Sequence, residues 1–429
     1  MFHPAQCCRR SPRLESQGEI RRPPERLGLR PRPLRRSLRP ARSRWQSRNC
    51  SVSEEWELSS SGTATYASLF RAIRSLISGD ITLTVLVTGA TGLVGNNIVR
   101  RLLEEGRNVR AIVRPSYGTR PLEDLDIEIV LGDVCDIESL RHAMRDVDLV
   151  IHCAGYVHIG WTGMREAEEI NIGGTRNVAI VAREAGAKLI HVSSADALGS
   201  GLRNQVADEE TIFVENPPIP YVLTKIAAED EVRRQIEQGL HAVIINPGFM
   251  LGPWDWKPSS GRMIVEVVKG KPPMAPRGGT TVVDVRDVTT GILAAVDKGR
   301  CGANYLLGGD NMTYYELWKH IAEIAGTFKP ICRMGPLIAI GAGVVGDVWT
   351  KLTGNEGAVN SAALKMSGIY HYYSSRRAEE ELGYRYRPAR EAIIVAYNWF
   401  QQYGYLDQAP LPAKRAKKQS SVMRKAHSQ

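Results

Sequence analysis

Between Thr88 and Gly95 the chain reads Thr-Gly-Ala-Thr-Gly-Leu-Val-Gly, and no other run constrains the fold as tightly. An apolar, β-branched stretch, Leu83 to Val87, leads into it. An amphipathic stretch, Leu93 to Glu105, leads out and stops at Gly106. A strand, a glycine turn and a helix in that order form the context a dinucleotide site requires. Gly89 lets the backbone turn sharply out of the strand, Gly92 removes a side chain that would block a pyrophosphate, and Gly95 lets the helix pack close to the sheet. Thr91, Leu93 and Val94 lie in the same turn, where free N–H groups at the helix start face the phosphates. The spacing is G-x-x-G-x-x-G rather than G-x-G-x-x-G, so the glycines alone are a weak signal for which a mere tight turn is the plain alternative; their setting carries the reading.

Downstream the pattern alternates apolar strands with amphipathic helices, which predicts a parallel sheet wound on both faces. The expected strands are Thr82–Thr88, Asn108–Val113, Ile127–Leu131, Leu149–His152, Lys188–Ser193 and His241–Asn246, with helices at about 93–105, 136–145, 164–185 and 221–238. From Pro247 the rhythm breaks into a proline- and tryptophan-rich region around one helix near 261–269. Val282 to Val288 reads as a return to the core, followed by a helix to about Lys298 and a strand at Asn304–Leu307. The fold class is therefore α/β, a doubly wound parallel sheet with a smaller, mainly helical C-terminal cap. The expected organisation is a nucleotide-binding domain over 81–248, to which 281–310 returns, and a substrate cap over 249–280 and 311–408. Pro336 to Trp349 is apolar but short and glycine-rich, and reads as a buried cap helix, with a membrane-surface contact as the alternative.

The formal net charge of +10 suggests a nucleic-acid partner until it is located. Residues 1–50 hold 14 Arg and 3 Glu, a net of +11, and Ala413 to Gln429 add 6 basic residues and no acid, leaving the rest at −7. No nucleic-acid partner is expected of a mildly acidic globular part. Residues 1–80 and 409–429 read as disordered basic segments, too poor in apolar periodicity to offset their ordering entropy. The Arg- and Ser-rich start also fits a transit peptide, although its prolines spoil an amphipathic helix, and a start assigned too far upstream is the competing explanation. The 7 cysteines are scattered without metal-ligand spacing, so no disulfide framework or metal site is expected and a reducing, cytoplasmic setting is the default. No run is long and apolar enough for an integral membrane span.

Further motifs follow the glycine turn in order. His152-Cys-Ala-Gly155 follows one apolar strand, Ser193-Ser194 follows another, and Tyr221-Val-Leu-Thr-Lys225 is a Tyr-x-x-x-Lys. Together they resemble the extended short-chain dehydrogenase/reductase family, which includes NAD(P)-dependent epimerases, dehydratases and reductases, over roughly residues 83 to 405. The resemblance implies that Asp133 and Val134, after the third strand, contact adenine, and that His152, Ala154 and Gly155 pass the pyrophosphate and nicotinamide ribose. His152 itself reads as a hydrogen-bonded structural histidine. Asn171-Ile-Gly-Gly-Thr175 is similar to the family's Asn-x-x-Gly-Thr helix, which implies that Asn171 orders backbone and water behind the active site. Asn246-Pro247-Gly248 would form a tight turn behind the nicotinamide.

Cofactor choice is set at the end of the second strand, where a carboxylate suits NAD and an Arg suits the 2′-phosphate of NADP. Arg114 stands there and no Asp or Glu occurs from Val109 to Arg120, so NADP is expected, with NAD still possible and a solvated loop charge as the plain reading of Arg114. Carbonyl reduction needs a proton donor for the developing alkoxide. Tyr221 could serve if its hydroxyl, ordinarily near pKa 10, were brought down. The i, i+4 spacing places Lys225 one turn from Tyr221, where its ammonium would favour phenolate, and Ser194 would hold the substrate oxygen. Ser194 is chosen over Ser193 because Gly199 completes the family's Ser-x-x-x-x-Gly pattern.

The leading expectation is an NADP-dependent oxidoreductase acting on a secondary alcohol or ketone, similar to the dihydroflavonol-reductase branch. An epimerase or dehydratase of a sugar or sugar nucleotide is the alternative, and a non-catalytic cofactor-binding sensor is disfavoured by the intact Ser194, Tyr221 and Lys225. Trp161, Trp254, Trp256, Met263 and Met274 either roof a pocket for a small apolar molecule or serve as ordinary packing. A homodimer is compatible with this family.

Overall fold

The computed structural model describes residues 83–406, apart from 117, 202, 212–215 and 271–272. The expected terminal segments 1–80 and 409–429 lie outside the described residues, as does Thr82.

Thirteen described strands follow the chain: β1 Thr84–Thr88, β2 Asn108–Val113, β3 Glu128–Leu131, β4 Leu149–His152, β5 Lys188–Val192, β6 Ala242–Pro247, β7 Phe249–Leu251, β8 Met274–Ala275, β9 Gly279–Asp284, β10 Asn304–Leu307, β11 Asp310–Thr313, β12 Cys332–Arg333 and β13 Tyr370–His371. Seven form one parallel sheet in the order β10-β6-β5-β4-β1-β2-β3. β4 and β6 are buried at every position and β5 at all but Lys188, as a sheet covered by helices on both faces requires. One face packs residues such as Val87, Ile98, Leu102 and Ile151, the other Leu86, Leu140, Val150 and Leu189, so successive strand residues feed opposite cores. The chain winds outward from β1 to β2 and β3, then crosses to β4. Such a reversal leaves a crevice at the strands' carboxyl ends, here beside Thr88 and its register partner His152.

A second sheet orders β11-β9-β13 with β7 on β9. The stretch Val282–Val288 therefore divides: its start completes β9 in this second sheet, and its end opens the Val285–Lys298 helix that packs against the large sheet beside β10. Residues 311–406, expected to be mainly helical, also contribute β11, β12 and β13. Helices Arg262–Val268, Tyr314–Ala325 and Ala389–Gln402 share one core. The middle one starts in a capping box between Thr313 and Glu316 and stops at Gly326, whose φ of 67° suits glycine.

The expected helix at 164–185 is interrupted. Met164–Ala167 runs into a π-helical segment, Glu168–Gly174, before α-helix resumes at Thr175–Glu184. A larger departure concerns the apolar run at Pro336: it forms a helix, Pro336–Thr353, in which Gly343 is the one buried residue. The expectation of a buried cap helix is overturned. The face turned inward carries small residues, and the bulky ones point to solvent.

Candidate active site

A cavity of about 210 Å³ opens at the carboxyl ends of β1, β2 and β4. It is lined by Gly89, Thr91 and Gly92 from the glycine turn, Arg114 after β2, Gly132 to Val134 after β3, and Cys153 to Gly155 after β4. Local geometry explains the glycines. Gly89 has φ +69°, and a Cβ there would lie 2.6 Å from the Ala154 nitrogen; one at Gly95 would lie 2.3 Å from the Gly89 carbonyl. Gly92 is different, since a Cβ there would meet only the Gly89 carbonyl at 3.4 Å and would otherwise fill the cavity. Gly92 also caps the Leu93–Glu104 helix with no side-chain cap and no acid in its first turn, so the N–H groups at Leu93, Val94 and Gly95 have no competing carboxylate. An uncapped helix start, a space kept open by glycine and Arg114 on the same wall fit an anionic dinucleotide. Lys257, from the long loop after β7, adds a second cation to that wall.

Asp133 lines the cavity, and its Oδ1 accepts from the Cys135 N–H at 3.0 Å, which orients the carboxylate. His152 is fully buried behind it. Its ring nitrogens meet the hydroxyls of Thr88 at 2.7 Å and Thr175 at 3.0 Å. Burial first, and then the Lys225 charge, push the imidazole down to about 3, so it stays neutral and acts as a strut. Asn246 and Pro247 end β6 with Gly248 next in the chain, and none of the three is among the residues that line the cavity.

Proline at the first position of the Pro220–Glu237 helix fixes where that helix begins, so Tyr221 and Lys225 both point into the protein. The Ser194 hydroxyl donates to the Asp196 carboxylate at 3.3 Å and accepts from the Asp196 N–H at 3.2 Å. Lys225 Nζ donates to the Val192 carbonyl at 3.2 Å, and a Cβ at Gly155 would lie 3.5 Å from it. Burial, opposed by Glu229 and Cys153, pushes this ammonium down to about 8. The phenol of Tyr221 is held above its ordinary value by burial and by Asp196, against the influence of Ser194. The expected lowering by Lys225 is thus missing here. The ammonium is spent on the Val192 carbonyl, and desolvation outweighs the influence of Ser194.

Asn171 sits in the π-helical segment, where the widened turn lets its side chain reach across. Its Oδ1 accepts from the Tyr156 N–H at 2.7 Å, and its Nδ2 donates to the Tyr156 carbonyl and to Thr224 Oγ1, each at 3.0 Å. The segment after β4 is thereby fastened to the helix that carries Tyr221.

Residues unmarked by any sequence motif complete the site. Asp196 raises the phenols of Tyr221, Tyr314 and Tyr373, in each case after burial, and lies 3.4 Å from His371 Nδ1. Glu356 reaches from beyond the Pro336–Thr353 helix to accept from the N–H groups of Trp161 at 2.9 Å and Thr162 at 3.0 Å, and from His158 at 2.8 Å. Burial would raise the Glu356 carboxyl, but these bonds and the Thr162 hydroxyl together bring it to about 2. The aromatic residues expected over the pocket divide as well. Trp254 and Trp256 pack with Trp399 and Tyr403 at ring separations of 4.8 to 6.3 Å, which is cap packing. Trp161 stays half-exposed, its Nε1 donating to Ser361 Oγ at 2.7 Å.

Residues 85–308 match the model of the NAD dependent epimerase/dehydratase family. Among curated proteins, the chain is 34% identical over 328 residues to "Putative dihydroflavonol 4-reductase" of Synechocystis sp., covering 75% of this chain and 95% of that protein. It is 31% identical to Sterol demethylase protein B of Methylococcus capsulatus, covering 76% of this chain and all of that protein (100%). Among solved structures, gox2253 superposes with a TM-score of 0.67 at 35% identity, over 76% of this chain and 99% of that one.

Proposed function

The chain belongs to the NAD-dependent epimerase/dehydratase family and is an oxidoreductase acting on CH–OH groups, and we propose that it moves hydride between NADP(H) and an apolar secondary alcohol or ketone. The observation that carries this reading is that Ser194, Tyr221 and Lys225 are all buried, with Lys225 one helical turn from Tyr221 and its Nζ 3.5 Å from where a Gly155 Cβ would stand. Bound in the cavity, the cofactor supplies or takes up the hydride. The Ser194 hydroxyl holds the substrate oxygen, and the Tyr221 hydroxyl delivers its proton to the alkoxide as that charge forms. A phenol held protonated by burial is in the state a reductase requires of its acid. Lys225, its ammonium held by the Val192 carbonyl behind Gly155, would supply positive charge to the ribose of a bound cofactor. In the oxidative direction the Tyr221 phenolate takes the proton from the alcohol.

Arg114 and Lys257 on one wall favour a 2′-phosphate and hence NADP. The apolar substrate class is supported by relatives named for a dihydroflavonol and a sterol. The test is a screen of polycyclic ketones, alcohols and sugar nucleotides, following nicotinamide absorbance beside product formation. Stoichiometric NADPH consumption with an apolar ketone supports the reading. Conversion of a sugar nucleotide without net cofactor consumption replaces it with epimerase or dehydratase chemistry. Tyr221→Phe should bind cofactor as wild type does and turn over about 100-fold or more slowly. Turnover near the wild-type rate in that variant would remove Tyr221 from the mechanism.

A further inference from the structure

The Pro336–Thr353 helix is built inside out. Leu337 (82% exposed), Val345 (70%), Trp349 (60%) and Leu352 (79%), together with Ile340 and Val344, present a bulky apolar face to solvent. Its packed face is made of small residues. A Cβ at Gly343 would lie 3.0 Å from Ser361 Cα, and one at Gly346 would run into the Val359 carbonyl. Asp347 accepts from the Ser361 N–H at 3.0 Å on that same side. Which face turns outward is therefore set by backbone contacts that only glycine permits. An exposed apolar surface of this extent marks an interaction site.

We propose that this helix docks the protein on an anionic lipid bilayer surface. Charge identifies the occupant. Residues 327–369, all described, contain Lys329, Arg333, Lys351 and Lys365 as cations and only Asp347 and Glu356 as acids. Both acids turn inward, onto Ser361 and onto the Trp161–Thr162 backbone, and Lys329 is paired with Glu323 at 2.8 Å, which leaves Arg333, Lys351 and Lys365 as the charges of this segment and their sign positive. That stands out on a chain whose residues 51–412 carry a net charge of −7. Bulky apolar residues on one side, Lys351 and Lys365 at the margin and an exposed Trp349 match a helix lying in the headgroup region of acidic lipid. Among the described residues no helix is long and apolar enough to cross a membrane, so the helix lies along the surface.

Docking there would sit close to the site. The Ser361–Ser367 helix that supports the apolar helix packs through Ala362 and Met366 on Ile219, Tyr221 and Val222. The inference concerns where the enzyme sits and does not rest on its proposed substrate.

The test is co-sedimentation of the full chain with vesicles of phosphatidylcholine containing phosphatidylglycerol, and of phosphatidylcholine alone. Wild type should pellet with the acidic vesicles and release as salt rises. The double variant Val345→Glu/Trp349→Glu should lose about tenfold in bound fraction while keeping its melting temperature, since both side chains are exposed. Lys351→Glu should weaken binding to the acidic vesicles only. A second pair, Leu337→Ser/Ile340→Ser, repeats the test without added charge. Three results would overturn the proposal: wild type remaining in the supernatant, binding that survives both double variants and so arises from the basic chain ends, or a dimer that the first double variant splits without any vesicle binding.

Discussion

Asn246 donates its side-chain amide to the Glu229 carboxylate at 2.7 Å and to the Ser194 carbonyl at 2.9 Å. One asparagine on β6 thus ties the end of the serine strand to the helix bearing Tyr221 and Lys225. Glu229 is the centre of this tie, since it also accepts from Arg233 at 2.8 Å and Asn304 at 3.0 Å, and it lies one turn beyond Lys225.

Glu229→Ala should therefore act on both stability and the site. Removing the carboxylate leaves the buried Asn246 amide, the partly buried Asn304 amide and one guanidinium short of an acceptor, which should cost roughly 3 kcal/mol in urea unfolding. Glu229→Gln keeps an acceptor and should cost less. Both changes remove a charge that raises Lys225, so each should shift the Lys225 titration further down. Glu229→Ala unfolding at the wild-type midpoint would show that water replaces the carboxylate without loss.

Glycine substitutions should split by sign. Alanine at Gly95 gains helix propensity, but its Cβ would sit 2.3 Å from the Gly89 carbonyl and 2.9 Å from Ala90 Cα. Backbone cannot step aside cheaply, so Gly95→Ala should destabilise by roughly 1–3 kcal/mol and weaken dinucleotide binding. Gly341→Ala, on the outer helix, meets nothing within 4 Å and should stabilise by roughly 0.5–1 kcal/mol. Thermal melts of the pair check the contrast. Equal shifts in both would mean that the glycine turn yields where the contacts say it cannot.

The glycine turn, the alternation of strands and helices and the Tyr221/Lys225 pair were legible because each depends on residues close in sequence. The tie between Asn246 and Glu229 was not, since it exists only once β6 lies beside β5 and the helix folds over both. Lys225 shows a finer failure. Spacing put it one turn from Tyr221, but the Val192 carbonyl, contributed by β5, decides where its ammonium points. The apolar run at Pro336 was misread because hydrophobicity says that a face should be covered without saying by what. Gly343 and Gly346 held the answer, marking the inward side as the one lacking side chains.

Stability of the cofactor-free protein should depend on pH through Lys225. Its folded value, about 8, lies below an ordinary lysine near 10.5, so between these limits the unfolded chain binds more protons. Stability contributed by this group must then rise as pH rises through 8. Below pH 8 the buried ammonium costs on the order of 3 kcal/mol. Lys225→Met removes that cost, so its advantage over wild type should be largest at neutral pH and shrink toward pH 10. The comparison needs urea midpoints of both proteins across that range. A constant difference would show that Lys225 titrates alike in the folded and unfolded states.

Cofactor preference turns on Arg114. It lines the cavity together with the glycine turn, just after β2, where an NAD-selective site would place a carboxylate. Contact with a 2′-phosphate would form charge-assisted hydrogen bonds, worth roughly 1.5–3 kcal/mol each. Arg114→Asp removes those bonds and sets like charge against the phosphate, whereas the ribose hydroxyls of NADH gain an acceptor. Titration should show wild type binding NADPH more tightly than NADH, with the order reversed in the variant. Lys257 shares the wall, so Lys257→Ala should weaken NADPH by a smaller factor and leave NADH nearly unchanged. If wild type holds both cofactors equally, Arg114 is a solvated loop charge and the preference for NADP falls with it.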